Sequence, residues 1–491
     1  MPYNLVSVTA AFIGAPLAAI LINNLLPRNP AKKICLNLNI LVALLQMVAA
    51  LACLWLIMAS GRNYIDFSAF WDMNALPNAA RFSVDTLSLV VLFSIGLVAL
   101  VSLLSARQTI GDKALNFSNL LLVIMLGMNG IAMVNDLFSL YVFLEVTGIA
   151  SFIMIALFRN KRGLEGAFKY LAMSALASAF LLASLAFIFM EAGSLRFVDV
   201  ARTLGNWRAT SQPLLLLISC VFFVAAFAIK AGLFPFHGWL PDAYQSAPPA
   251  VSVLLGGVVT KVAGVYAIIR VLYGVFAHAQ SVHLVFGLLG IVSIFYGALA
   301  AVGQRDMKRI LAYSSISQMG YIVLGAASGS LLGLIGATLH FFNHATFKST
   351  LFVNAAALEK QAGGTDIELL PGGLQEQMPL TGISSMLAFF STAGIPPLAG
   401  FWSKLLIIIA VWQAGYPSIA VAALLASLIT AVYFLRLQRK IFFGNSPESA
   451  ADIQEVKGSF AVAEALLSVI TVAMGLLFPA ILLVLRSQGL L

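Results

Sequence analysis

Ala231-Gly232-Leu233-Phe234-Pro235-Phe236-His237-Gly238-Trp239 lies inside an apolar run that extends from 213 to 247. A straight helix of that length would reach about 50 Å, well beyond the roughly 30 Å of hydrocarbon in a bilayer. Glycine and proline at its middle therefore predict a helix that breaks at membrane depth, with the freed backbone groups lining a cavity rather than facing lipid. A second over-long run, 379–411, carries Ala393-Gly394-Ile395-Pro396-Pro397-Leu398-Ala399-Gly400-Phe401-Trp402. A lysine flanks each interruption, Lys230 in the first and Lys404 in the second.

The surroundings have the composition of a membrane protein. The chain is 61% apolar and 10% charged, against about 25% charged in ordinary globular chains. Further runs long enough to span a bilayer occur at 5–26, 34–58, 86–106, 117–135, 136–158, 164–190, 250–272, 281–302, 307–327, 330–357, 417–438 and 459–486. With the two interrupted runs they predict an all-α polytopic membrane protein of about 14 transmembrane helices.

The interrupted runs are the seventh and twelfth, an offset of five. An odd offset reverses direction across the membrane, which predicts two inverted five-helix repeats, 117–275 (helices 4–8) and 276–440 (helices 9–13), each with one broken helix. Residues 1–116 then form three N-terminal helices and 441–491 a C-terminal helix 14. Chance likeness of two Gly/Pro stretches is the plain alternative.

The net charge of +9 is explained by topology rather than by nucleic acid. Counted from an outer N-terminus, inner loops hold 17 of the 28 Lys and Arg, among them Arg28, Lys32, Lys33, Arg159, Lys161, Arg162, Arg305, Lys308, Arg309, Arg436, Arg439 and Lys440. Outer segments hold 7 (Arg62, Arg81, Arg196, Arg202, Arg208, Arg270, Arg486), and 4 fall within spans. This positive-inside bias puts both termini on the outer face of a prokaryotic inner membrane. The first run has no basic leader and is followed by Pro27-Arg28-Asn29-Pro30, so it is expected to be a retained span rather than a cleaved signal. Cys35, Cys53 and Cys220 have no metal-ligand or disulfide spacing and are expected to be small core residues.

A charge at the bilayer centre costs at least about 2.5–3.5 kcal/mol and marks a candidate site. Asn135-Asp136-Leu137-Phe138 opens a span in which Glu145, about 13 Å deeper, is the one acid placed at depth. The deep bases are Lys230, Lys261, Lys348 and Lys404. A lysine in a low-dielectric interior tends to lose its proton and a nearby carboxylate restores it, so a Glu145–Lys230 pair that opens and closes would switch proton affinity. A static buried ion pair that fixes helix packing is the competing reading.

His340, His344 and Lys348 fall at i, i+4 and i+8 and share one helix face. Histidine titrates near neutrality, so the row is suited to passing protons between Lys261 and Lys404. Structural histidines and a zinc site are the rivals, and zinc lacks a cysteine or deep carboxylate to complete four ligands. His237, in the first interruption, has two readings, lining the cavity or capping broken-helix carbonyls. Asp136 is either a solvated edge charge or a guide for ions towards Glu145.

At these residues the sequence resembles the antiporter-like subunits of respiratory complex I, of Mrp-type multisubunit cation/proton antiporters and of energy-converting membrane-bound hydrogenases. The likeness covers nearly the whole chain. It rests on Asn135 to Glu145, Glu165-Gly166-Ala167-Phe168-Lys169-Tyr170-Leu171, Lys230 to Asp242, Lys261, Arg309 to Tyr321, His344-Ala345-Thr346-Phe347-Lys348 and Gly394 to Lys404. The resemblance implies a fold of 14 helices, a Glu–Lys pair at Glu145 and Lys230, a central lysine at Lys261 and a terminal one at Lys404. Lysine rather than glutamate at 404, and the absence of a long lateral helix after the last span, favour an Mrp D-like or hydrogenase-like chain.

The function expected is proton translocation, with or without Na⁺/H⁺ antiport, in a multisubunit complex. Partners are other membrane subunits, lipid and H⁺ or Na⁺. No cofactor or metal site is expected in this chain, so redox chemistry, if present, belongs to partner subunits. The alternatives are a non-translocating quinone-site or scaffolding subunit, and a standalone carrier of an organic solute.

Overall fold

The computed structural model describes residues 3–25, 28–61, 64–66, 82–205, 213–277, 279–444 and 452–487. Arg62, Arg81 and Arg208, which the topology count places outside, lie beyond the described residues. Apart from a short antiparallel pair, β1 (Tyr64–Asp66) and β2 (Ser83–Asp85), the described elements are helical.

The chain divides into two compact units, the first formed by Met1–Leu103, Ile110–Ala231 and Val258–His283. Its helices are α1 (Tyr3–Leu25), α2 (Arg28–Ser60), most of α3 (Thr86–Thr109), α4 (Ala114–Met133), α5 (Leu137–Ile155), α6 (Lys161–Ala192), the short α7 (Phe197–Gly205) and α8 (Pro213–Lys230). Caps define several ends. Asp136 accepts from the Ser139 N–H at 2.7 Å and starts α5, and Asn160 accepts from the Gly163 N–H at the start of α6. Pairs of neighbours, α4 with α5 and α6 with α8, make the most extensive packing in this unit.

The second unit comprises Leu104–Thr109, Gly232–Gly257 and Leu284–Leu491. It contains α9 (Trp239–Ser246), α10 (Pro249–Leu254), most of α12 (Gln280–Val302), α13 (Met307–Ala327), α14 (Leu331–Ala362), α15 (Pro379–Ala393), α16 (Ala399–Gln413), α17 (Pro417–Ile441) and α18 (Ser459–Ser487), while α11 (Ala267–Gly274) belongs to the first. Helix α14 is its centre, packing against α10, α13, α15, α16 and α18.

Among the described residues, ten helical stretches are long and apolar enough to cross a membrane. Helix α1 contributes a shorter apolar stretch, Ala11–Leu25. The two over-long runs are indeed interrupted, as α8/α9 and α15/α16. Helix α14 is long, but His340, Asn343, His344, Lys348 and Asn354 make it more polar than a lipid-facing span. Its burial compensates, since every one of these side chains is less than 5% exposed.

The spans sort into interior and lipid-facing sets. The stretch Pro249–Gly274 is 100% buried and Met307–Ala327 89%, whereas the spans in α6, α17 and α18 are each 33% buried. The latter expose Phe168, Leu424, Leu428 and Val469, large apolar side chains that hydrocarbon accepts without cost.

Candidate functional site

In the first unit the site is assembled on three helices. Glu145 lies on α5, Ser174 and Ser178 on α6, and Lys230 is the last residue of α8, immediately before the break. Lys230 Nζ lies 3.0 Å from Glu145 Oε1 and donates to Ser174 Oγ at 2.9 Å. Ser178 Oγ donates to the same carboxylate oxygen. The lysine side chain is 3% exposed and the glutamate 25%, so the pair is a largely dry ion pair with hydroxyl groups on both partners. Gly148, one turn beyond Glu145, makes the room: a Cβ there would lie 3.3 Å from Ser174 Oγ and 3.8 Å from Lys230 Nζ.

The α8 break begins with Gly232 in the left-handed region, φ 61°, a conformation that glycine takes without penalty. The Phe234–Pro235 peptide is cis. Beside Ala231 runs the segment that carries Lys261. It is not regular α-helix: Leu255–Val259 and Lys261–Tyr266 are π-helical turns, which carry extra backbone per turn and concentrate at functional sites. Lys261 itself is fully buried.

In the second unit His340, His344 and Lys348 are all fully buried on α14. The His340 and His344 rings are nearly parallel with centroids 6.3 Å apart. His340 Nδ1 contacts Ser403 Oγ at 2.9 Å and Nε2 contacts Gln318 Oε1 at 3.1 Å, so both ring nitrogens are held. Which ring nitrogen donates depends on the tautomer. Lys348 Nζ donates to the Leu311 carbonyl at 2.9 Å and to Ser314 Oγ. Lys404, in the second turn of α16, donates to the Thr392 carbonyl at the end of α15 at 2.8 Å, with its ammonium 4.5 Å from the centre of the Tyr321 ring.

The remaining candidates resolve differently. The His237 ring packs against Phe234 and Tyr296, with centroids 5.6 and 4.4 Å away. Asp136 caps α5, a duty that Asp-x-x-Ser before an apolar run encodes.

Among the described residues, two further buried charges, Glu464 and Lys308, and the partly buried Arg270 are not legible in the sequence. Glu464, on α18, is 0% exposed; it lies near the start of its run and passes for a loop-edge acid. Lys308 counts as an inner-loop cation in the topology, but is 2% exposed and lies 2.5 Å from Glu359. Arg270, counted on the outer side, pairs with Asp85 through two hydrogen bonds of 2.6 and 2.7 Å.

The chain is similar to known proteins in sequence and fold. Residues 134–430 fit the family model described as NADH:quinone oxidoreductase/Mrp antiporter, transmembrane. The chain is 35% identical over 385 residues to the D-type chain of the Na(+)/H(+) antiporter of Alkalihalophilus pseudofirmus, covering 78% of this chain and 76% of that one. It is 37% identical over 339 residues to the N-type chain of the NADH-quinone oxidoreductase of Desulforudis audaxviator, covering 68% and 66% respectively. Among solved structures, a chain of the Mrp complex from a Dietzia species superposes with a TM-score of 0.88 at 26% identity, covering 98% of this chain and 96% of that one. A chain of an archaeal membrane-bound sulfane sulfur reductase does so with 0.86 at 25% identity, covering 99% and 97%. With its family model spanning more than half of the sequence and its helices superposing along nearly their whole length, the chain belongs to the NADH:quinone oxidoreductase/Mrp antiporter family of multi-pass membrane subunits.

Proposed function

We propose that this chain moves protons, alone or in exchange for Na⁺, as one subunit of a multisubunit energy-converting complex in a prokaryotic inner membrane. Glu145 and Lys230 are the switching pair, and Lys261, His340, His344, Lys348 and Lys404 are the relay groups. The observation that carries this reading is the hydroxyl environment of the pair. Besides each other, Glu145 has Ser178 and Lys230 has Ser174 as hydroxyl partners. Each charge therefore retains a partner in the open state, which lowers the cost of separating them.

A fold of 14 spans with inverted repeats at 117–275 and 276–440 accounts for the four runs outside the ten long apolar stretches. Two of them are broken helices, and each break has a glycine at positive φ, Gly232 and Gly394. Both termini then lie on the outer face. The relatives named as parts of an Na(+)/H(+) antiporter and of an NADH-quinone oxidoreductase favour other membrane subunits as partners.

Ion movement measured in the intact complex with Glu145→Ala and with Lys230→Ala tests the proposal. Coupled transport is expected to be lost in both, and full coupled transport in both overturns it. If instead Lys404→Ala leaves ion movement untouched while quinone-dependent turnover falls, the chain is a quinone-site subunit.

A further inference from the structure

The Glu464 carboxyl belongs to none of the relay groups, yet it is fully buried inside the second unit. Its Oε1 lies 3.1 Å from Thr381 Oγ1 at the start of α15. The same hydroxyl lies 2.6 Å from Glu455 Oε1, and Glu455 Oε2 accepts from the backbone N–H groups of Leu380 and Thr381 at 2.7 and 3.2 Å. Glu455 therefore seats its carboxyl on the N-terminus of α15, where the exposed N–H groups and the helix dipole favour negative charge.

Thr381 has one hydroxyl proton and two carboxyl groups competing for it. The shorter bond goes to Glu455. Glu464 is left with the longer contact, 3.1 Å, which that one proton does not serve while it bridges to Glu455. On the other side its Oε1 receives the Asn354 amide N–H of α14 at 3.0 Å, once the amide is turned to satisfy both of its ends. The second carboxyl oxygen, Oε2, is buried with no hydrogen-bond partner among the described residues.

Among the described residues, the helices packed on α18 supply Glu464 with no counter-ion. Helix α15 presents Thr381 and Ser384, neither of which is charged. The lysines of α14 are engaged elsewhere: Lys348 with Leu311 and Ser314, and Lys360 with Gln108, above the ring of Phe460 one turn away along α18. The lysine of α16, Lys404, is bound to Thr392. Glu455 is the facing charge, and it is of like sign. A carboxylate with an anion for a neighbour and no cation at contact does not persist in a dry interior.

From this geometry we infer that Glu464 is a proton-binding site, a carboxylic acid that takes up and releases H⁺ through Thr381 and Glu455 at the end of the membrane where α15 begins. Glu455, Thr381, Glu464 and Asn354 form a bonded chain from the half-buried Glu455 to α14. That helix also carries His340, His344 and Lys348, so the site is a side branch off the relay row and rests on the relay reading. The proposed topology puts this end on the inner face.

Infrared difference spectra between acidic and alkaline buffer test it, recorded on the intact complex in native membranes or reconstituted into lipid. The carbonyl stretch of a protonated carboxylic acid is expected to titrate in the wild type and to lose one component in Glu464→Gln, which keeps shape and hydrogen bonding. An unchanged carbonyl region in Glu464→Gln overturns the inference. If that variant does not assemble, Glu455→Gln replaces it: removing the neighbouring negative charge is expected to move the titration midpoint of the Glu464 component to lower pH, and an identical titration overturns the inference. The spectra read Glu464 whether or not the complex transports. Loss of the proposed function, judged from Glu145→Ala and Lys230→Ala, is thus separable from loss of this site.

Discussion

Lys404 Nζ donates to the carbonyl of Thr392 at 2.8 Å, so a cation from one half of a broken helix closes the open end of the other half. The bond gives Lys404 a structural duty beside the one proposed in proton relay, because carbonyls at a helix end need partners and favour positive charge. The two duties separate by substitution. Lys404→Gln keeps a donor without the charge and is expected to hold the thermal unfolding midpoint near wild type while coupled transport is lost. Lys404→Ala removes the donor too and is expected to cost about 1–3 kcal/mol in addition. Transport that survives in Lys404→Gln removes Lys404 from the relay.

Gly148→Val tests whether the pair at Glu145 needs its free space. Even a single methyl at 148 would approach Ser174 Oγ to 3.3 Å and lie 3.8 Å from the Lys230 ammonium, and valine adds two more carbons to that space. Transport is expected to fall, with overpacking costing about 1–3 kcal/mol of stability. Unaltered transport in a folded Gly148→Val variant would show that Lys230 does not move along that side.

Ser403→Ala tests the tautomer of His340. Ser403 Oγ meets His340 Nδ1 at 2.9 Å and Asn343 Nδ2 at 3.1 Å. Without the hydroxyl, Nδ1 loses its partner and the ring is held through the Gln318 contact alone. The pH profile of transport is expected to shift while assembly is retained; a profile superimposable on wild type would make His340 a packing residue.

Outside the spans, Asp85 supplies a pH dependence of stability. Burial pushes its carboxyl up, but the Arg270 guanidinium and the Ser88 N–H more than reverse this and hold it below the usual carboxylate range. A carboxyl depressed in the folded state adds stability above its unfolded value, and that stability is lost as pH falls through the folded value. Arg270→Gln is expected to flatten this acid limb of the unfolding curve. Because Asp85 is 35% exposed, the loss near neutral pH should stay at about 1 kcal/mol. An acid limb that is equally steep in the variant would assign it to other carboxyl groups.

How far the sequence can be read depends on whether a residue declares itself locally. Gly232 and Pro235, Gly394 and Pro396 mark the breaks, because a backbone irregularity is written in residue type. The spacing of His340, His344 and Lys348 likewise fixes one face of α14 without knowledge of its neighbours. Glu464 is hidden because distance from the end of an apolar run is a poor gauge of depth, and its burial comes from Thr381 and Asn354 on two other helices. Lys308 and Arg270 are hidden in the same way, since their carboxylate partners Glu359 and Asp85 lie far off along the chain. Nor does any residue near Lys261 announce π-helical turns.

Those turns press close on the broken helix: a Cβ at Gly264 would sit 2.3 Å from Ala231 Cα, backbone against backbone. Close-packed surfaces of this kind behave like meshed gear teeth, having no slack to take up motion. If the chain at Ala231 is displaced, the turn holding Lys261 has to travel with it. A purely mechanical linkage thus joins the residue after Lys230 to the helix of the next lysine, and it would work with every charge in the membrane neutralised.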